Sequence, residues 1–99
     1  MHSMKVDYTD IDVQHAESAF VSWKEMNLRA HRAVAVGDRG SAYCIVETMK
    51  VLANLVVRLS VFAGEAGHTA EAVYIVNFGL KMVDGNDKVY HAIRNKAAA

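Results

Sequence analysis

Residues 42–62 read AYCIVETMKVLANLVVRLSVF, and the spacing of apolar side chains in this stretch decides the fold class. Ala42, Ile45, Met49, Leu52, Val56 and Leu59 recur three or four residues apart, the interval at which side chains share one face of an α-helix. Val46, Ala53, Val57 and Phe62 form a second apolar stripe beside the first. A helix that is apolar around more than half its girth belongs among neighbours on several sides, so this segment is expected to be the central, most buried helix. The β-branched residues Ile45, Val46, Val51, Val56, Val57 and Val61 would suit strands, but the length of the run and its lack of alternation favour a helix.

The same period extends upstream. Val13, Ala16, Phe20, Trp23, Ala30 and Val34, with Asn27 filling the series, mark one face of a long helix from Asp10 to Val36. Thr9 or Asp10 is available as its N-cap, and Gly37 stands where a left-handed residue would close it. Downstream, Ala63 to His68 (AGEAGH) predicts a loop, after which Thr69 opens a third helix with Ala72 or Val73, Val76, Leu80 and Val83 on its apolar face. Gly79 within it would permit close helix contact, at a propensity cost of about 1 kcal/mol relative to alanine. The run Asp84-Gly-Asn-Asp87 interrupts the period, and Asp87 can cap a short last helix bearing Val89, Tyr90 and Ile93. The expected fold is therefore all-α: an antiparallel up-down helical bundle of three long helices plus a short C-terminal helix. It forms a single domain over residues 1–99, with a flexible N-terminal segment at 1–9 and a frayed tail at 97–99.

Composition narrows the function classes. A chain of 99 residues that is 53% apolar has the size and the hydrophobic content of one folded domain. Eleven basic and eleven acidic side chains cancel, which argues against holding a nucleic-acid backbone or an anionic membrane through bulk charge. The N-terminus lacks the apolar core of a signal peptide, and the longest apolar stretch, 51–63, is too short for a bilayer and is interrupted by Asn54, Arg58 and Ser60. A lone cysteine, Cys44, has no internal disulfide partner and is expected as a packed thiol, so a cytoplasmic location fits best.

Catalytic and metal chemistry find little support. The histidines at 2, 15, 31, 68 and 91 show no metal-ligand spacing and have no cysteine beside them, so no metal is expected. Glu47, one turn from Cys44, carries the wrong charge to activate it as a nucleophile. No paired carboxylates, phosphate-cradling glycine loop or Gly-x-Ser-x-Gly elbow appears, so neither an enzyme nor a cofactor is expected. Arg29, His31, Arg32 and Arg39 cluster at the end of the first helix, where positive charge complements the helix dipole.

The aromatic residues carry the positive signal. Phe20 and Trp23 fit the core stripe, but Tyr43, Val61, Tyr74, Phe78 and Tyr90 fall off the principal stripes. Of these, Tyr43, Val61, Tyr74 and Phe78 are the candidate partner-binding residues. Surplus apolar surface on a small helical chain implies either a groove that accepts a partner helix or self-association.

One more pattern points to a family. A long helix ends in Gly37-Asp38, a second ends in the glycine-bearing stretch Ala63–Gly67, and a third leads into Asn86-Asp87. Over residues 20–95 this order resembles the flagellin export chaperone family, FliS. The resemblance implies a cytoplasmic antiparallel helical bundle that holds the C-terminal segment of flagellin in apolar grooves, blocks premature polymerisation and presents it for export. The family's proline-containing start of the first helix has no counterpart here, and the resemblance carries over the general activity without contact residues. Two other readings stand beside it: a self-associating structural or regulatory protein that forms a symmetric dimer, and a small nucleic-acid-binding regulator using Arg29, Arg32 and Arg39.

Overall fold

Two glycines with left-handed backbone, Gly37 at φ 78° and Gly67 at φ 83°, divide the chain into three helices. The computed structural model describes residues 5–98, the last two by their backbone. The helices are α1 (Ile11–Ala35), α2 (Arg39–Glu65) and α3 (Thr69–Ala98), and no strand occurs among the described residues.

Both turns close in the same way. The Gly37 N–H donates to the Val34 carbonyl at 3.0 Å, and the Asp38 N–H to the Ala33 carbonyl at 2.8 Å. The Gly67 N–H likewise donates to Gly64 at 3.0 Å, and the His68 N–H to Ala63 at 2.8 Å. This double closure satisfies the last carbonyls of a helix and needs a residue without a Cβ at the left-handed position. At the other ends, the Asp10 carboxylate accepts from the N–H groups of Asp12 and Val13, and Asp38 accepts from the Ser41 N–H. These bonds satisfy donors that no helical turn reaches. The expected loop at 63–68 is shorter than the sequence suggests, because α2 continues to Glu65.

All three helices touch one another, and the core they enclose is built largely from small and medium residues. Val13, Ala16, Trp23 and Ala30 from α1 meet Ala42, Val46, Met49, Ala53, Val56 and Ala63 from α2, with Ile75, Met82, Val89 and Ile93 from α3. On α2 the buried stripe is rotated from the predicted one: Val46 and Ala53 point inward, while Ile45 and Leu52 are only half-buried. Pairings along the helices are orderly. Tyr90 meets Glu47, the Gly79 backbone meets Val57, and the Ser60 hydroxyl donates to the Ala72 carbonyl, so rising positions on α2 face falling positions on α3. Glu17, Phe20 and Trp23 on α1 meet Tyr74, Phe78 and Asn86 in rising order.

The predicted break at Asp84–Asp87 does not occur, and no separate short C-terminal helix follows it; α3 runs through to Ala98. Trp23 supplies the reason. A Cβ on Gly85 would lie 2.4 Å from Cζ2 of the Trp23 indole, so the ring occupies the space a side chain would need. Trp23 Nε1–H donates to Asn86 Oδ1 at 2.7 Å in a buried hydrogen bond. Two residues with turn-forming chemistry thus seat a tryptophan within a helix. Of the N-terminal segment expected to be flexible, residues 5–9 lie along α3: the Asp7 N–H donates to Glu71 Oε1 at 2.9 Å, and Tyr8 meets the Tyr74 ring edge-on. The remainder of that segment, 1–4, and the side chains of the predicted frayed tail, 97–99, fall outside the described residues.

Candidate protein-binding face

Exposed apolar side chains stand on all three helices, Ile11, Val21 and Leu28 on α1 among them, and are densest on α2. Val51, Leu55, Val57, Val61 and Phe62 are exposed on α2, with Val51 66% and Phe62 56% accessible. Val73, Leu80 and Val83 are exposed on α3, Leu80 to 63%. The expectation that α2 is buried on most sides is thus corrected: Ala42, Met49, Val56 and Leu59 of the first stripe and Val46 and Ala53 of the second meet the core, while Val57 and Phe62 face outward. Core geometry accounts for this. A three-helix arrangement buries one broad stripe per helix, and on α2 that stripe is already filled by Ala42, Val46, Met49, Ala53, Val56 and Ala63.

Between Val51 and Gly64 the only charged side chain is Arg58. It lines a shallow depression of about 370 Å³ with Val51, Asn54 and Leu55. A second opening of about 200 Å³ lies between α2 and α3, among Lys50, Asn54, Val83, Asp87 and Tyr90. At Gly79 the two helices come close enough that a Cβ would sit 3.1 Å from Val57 Cγ2.

The four partner-binding candidates fall in different surroundings. Tyr43 and Val61 are both exposed on α2, but seventeen intervening residues separate them, about 27 Å along a helix. Tyr74 and Phe78 are half-buried and belong to an aromatic column between α1 and α3. Their rings are 4.9 Å apart, Phe78 lies 4.8 Å from Phe20, and Phe20 stacks beside Trp23. The structure brings Tyr74 and Phe78 together and leaves Tyr43 and Val61 apart from them and from each other. The Tyr74 hydroxyl donates to Glu17 at 2.9 Å, and burial first, then this bond, raises its pKa. Tyr90 donates to Glu47 at 2.7 Å beside Tyr43, and burial reinforced by Glu47 pushes it up to about 12.

Val51 and Leu55 were not among the predicted contact residues. The signal for them is present in the sequence: both lie opposite the Met49–Ala53–Val56 stripe, in a run whose sole charge is Arg58. Cys44, expected as packed, is exposed and lines a groove of about 220 Å³ with Met26, Arg29, Ile45 and Thr48. Arg29, His31, Arg32 and Arg39 are all exposed near the first turn. Among the described residues no group of three histidine, cysteine, aspartate or glutamate side chains is placed to hold a metal ion. No described helix is long and apolar enough to cross a membrane. Comparison with protein-family models, curated proteins and solved structures gives no significant match.

Proposed function

We propose that this chain is a protein-binding module: an antiparallel three-helix bundle that receives an amphipathic helix on the open apolar face of α2 and α3. The observation that carries this reading is the run from Val51 to Phe62, five exposed apolar side chains relieved by one charge. Leu80 and Val83 on the neighbouring helix α3 add exposed apolar area, and apolar area gathered on one side of a small domain marks interaction surfaces. Residues at helical spacing on two adjacent helices suit a partner helix laid along the seam. Such binding needs neither cofactor nor turnover.

The resemblance to flagellin export chaperones gives this activity its sharpest form, with the C-terminal segment of flagellin as the bound helix. The test is a titration of a fluorescent peptide of that segment, read by anisotropy. Saturable binding below about 100 μM is expected, with loss on Val61→Glu or Leu80→Glu and unchanged circular dichroism. Both positions are exposed, so the charge acts on binding and spares the core. Phe78→Glu is unsuitable as a control because Phe78 packs against Phe20 and Tyr74. No binding at that concentration removes the chaperone form. The second reading, self-association, is favoured by the charge pattern of α2.

A further inference from the structure

We infer that the helix received on this face is α2 of a second copy of the chain, packed antiparallel about a two-fold axis midway between Glu47 and Arg58. The inference rests on the reading of α2 and α3 as a protein-binding face and names its occupant. Its basis is the order of charges along α2: Arg39, Glu47, Lys50, Arg58 and Glu65.

In an antiparallel pair, the register that sets Arg58 against Glu47 of the second copy also sets Arg39 beside Glu65 of that copy. Two-fold symmetry makes each contact twice. A parallel pair in register would instead stack every charge on its own kind, Arg58 on Arg58 and Glu47 on Glu47, at a cost. Among the described residues Arg39, Arg58 and Glu65 make no ion pair within the chain. Glu47 is held by Tyr90 through Oε1, which fixes the carboxylate at the surface and leaves Oε2 for a cation.

The apolar residues agree with the same register. Val51 lies level with Asn54 of the second copy near the axis, and on the flanks Val61 falls beside Tyr43 and Phe62 beside the exposed Cys44. The area suits a reversible pair. The whole of α2, 27 residues, overlaps its symmetry mate over about 40 Å. A strip of that length and one helix diameter wide, about 10 Å, is roughly 400 Å² per copy, the size of a weak, reversible contact.

Sedimentation velocity from about 1 to about 200 μM tests this with charge reversals at exposed positions. The wild-type chain is expected to dimerise in this range. Arg58→Glu and Glu47→Arg should each weaken the dimer at least about tenfold. The double variant should restore it, and mixing the two single variants should give a heterodimer, because opposite charges then face each other again. Thermal melts followed by circular dichroism separate lost pairing from lost folding. A wild-type chain that stays monomeric throughout overturns the inference. So does a dimer indifferent to both reversals, or one that the double variant fails to restore. The flagellin-peptide titration separates the two proposals: a monomer that binds the peptide keeps the protein-binding reading and loses the dimer, and a monomer that binds nothing loses both.

Discussion

Gly85→Ala should destabilise the fold, although alanine replacing glycine inside a helix ordinarily stabilises it. Propensity alone would favour the alanine by about 0.8–1 kcal/mol. Against this, the new Cβ would stand 2.4 Å from Cζ2 and 2.5 Å from Cη2 of Trp23, closer than real contacts allow. The indole is 7% exposed, stacked beside Phe20 and hydrogen-bonded to Asn86, so it has no free direction in which to withdraw. Overpacking of this kind costs about 1–3 kcal/mol. If the ring moves far enough to release its N–H from Asn86, a buried donor and acceptor lose their partner, at about 1–3 kcal/mol more. The net loss is about 0–2 kcal/mol with that bond kept and about 1–5 kcal/mol with it broken. For a domain of this size each kcal/mol lowers Tm by roughly 4–8 °C, so thermal denaturation followed by circular dichroism reads the effect directly. Tryptophan emission reports the ring at the same time and should shift as its surroundings loosen. Gly64→Ala is the internal control, because a Cβ there meets only Ala72 Cβ at 3.7 Å, an ordinary contact. It should raise Tm slightly. A Gly85→Ala chain as stable as Gly64→Ala, with unchanged emission, would refute the seating of Trp23 over Gly85.

Gly67→Ala places a Cβ on a residue at φ 83° with open space around it, so its cost is conformational, about 1–2 kcal/mol, and should appear as a lower Tm with unchanged helical content at low temperature. The alkaline limb of stability should depend on Tyr90. Below pH 10 its phenol is neutral in the folded and the unfolded chain, and its contribution is whole; above that the unfolded chain ionises first, so stability falls as pH rises toward about 12. Denaturant titrations of the wild type and Tyr90→Phe at rising pH measure this, and equal slopes in the two chains would contradict it.

Periodicity made the helices legible because the signals at their ends are local. Asp10, Asp38, Gly37 and Gly67 act on backbone groups within five residues of themselves, so their roles follow from residue type and position. The continuity of α3 was not legible, because what makes Gly85 and Asn86 acceptable in a helix is Trp23, more than sixty residues away. The outward turn of α2 was half legible. Its two apolar stripes are plain, but which of them meets the core depends on where α1 and α3 lie. Val46 and Ala53 go inside with Met49 and Val56, and Ile45 and Leu52 are left at the edge. The contact candidates were misgrouped for the same reason: Tyr74 and Phe78 are off the main stripe of α3 but find Glu17 and Phe20 on α1.

The open face has an energetic logic separate from the fold. Burial of a valine, leucine or phenylalanine side chain is worth roughly 1.5–3 kcal/mol, and within the chain Val51, Leu55 and Phe62 forgo about half of that because their helix presents them to solvent. They also cannot be turned inward without exposing Met49, Ala53 and Val56, which are at most 2% accessible. The apolar character of this face therefore adds only part of its worth to the stability of a single chain. It does supply association energy: covering several such side chains can meet the 4–15 kcal/mol that association costs in lost motion, leaving a modest surplus. Affinity on this face is then set by small additional contributions, and the solvent-facing charges of α2 are the residues placed to supply them.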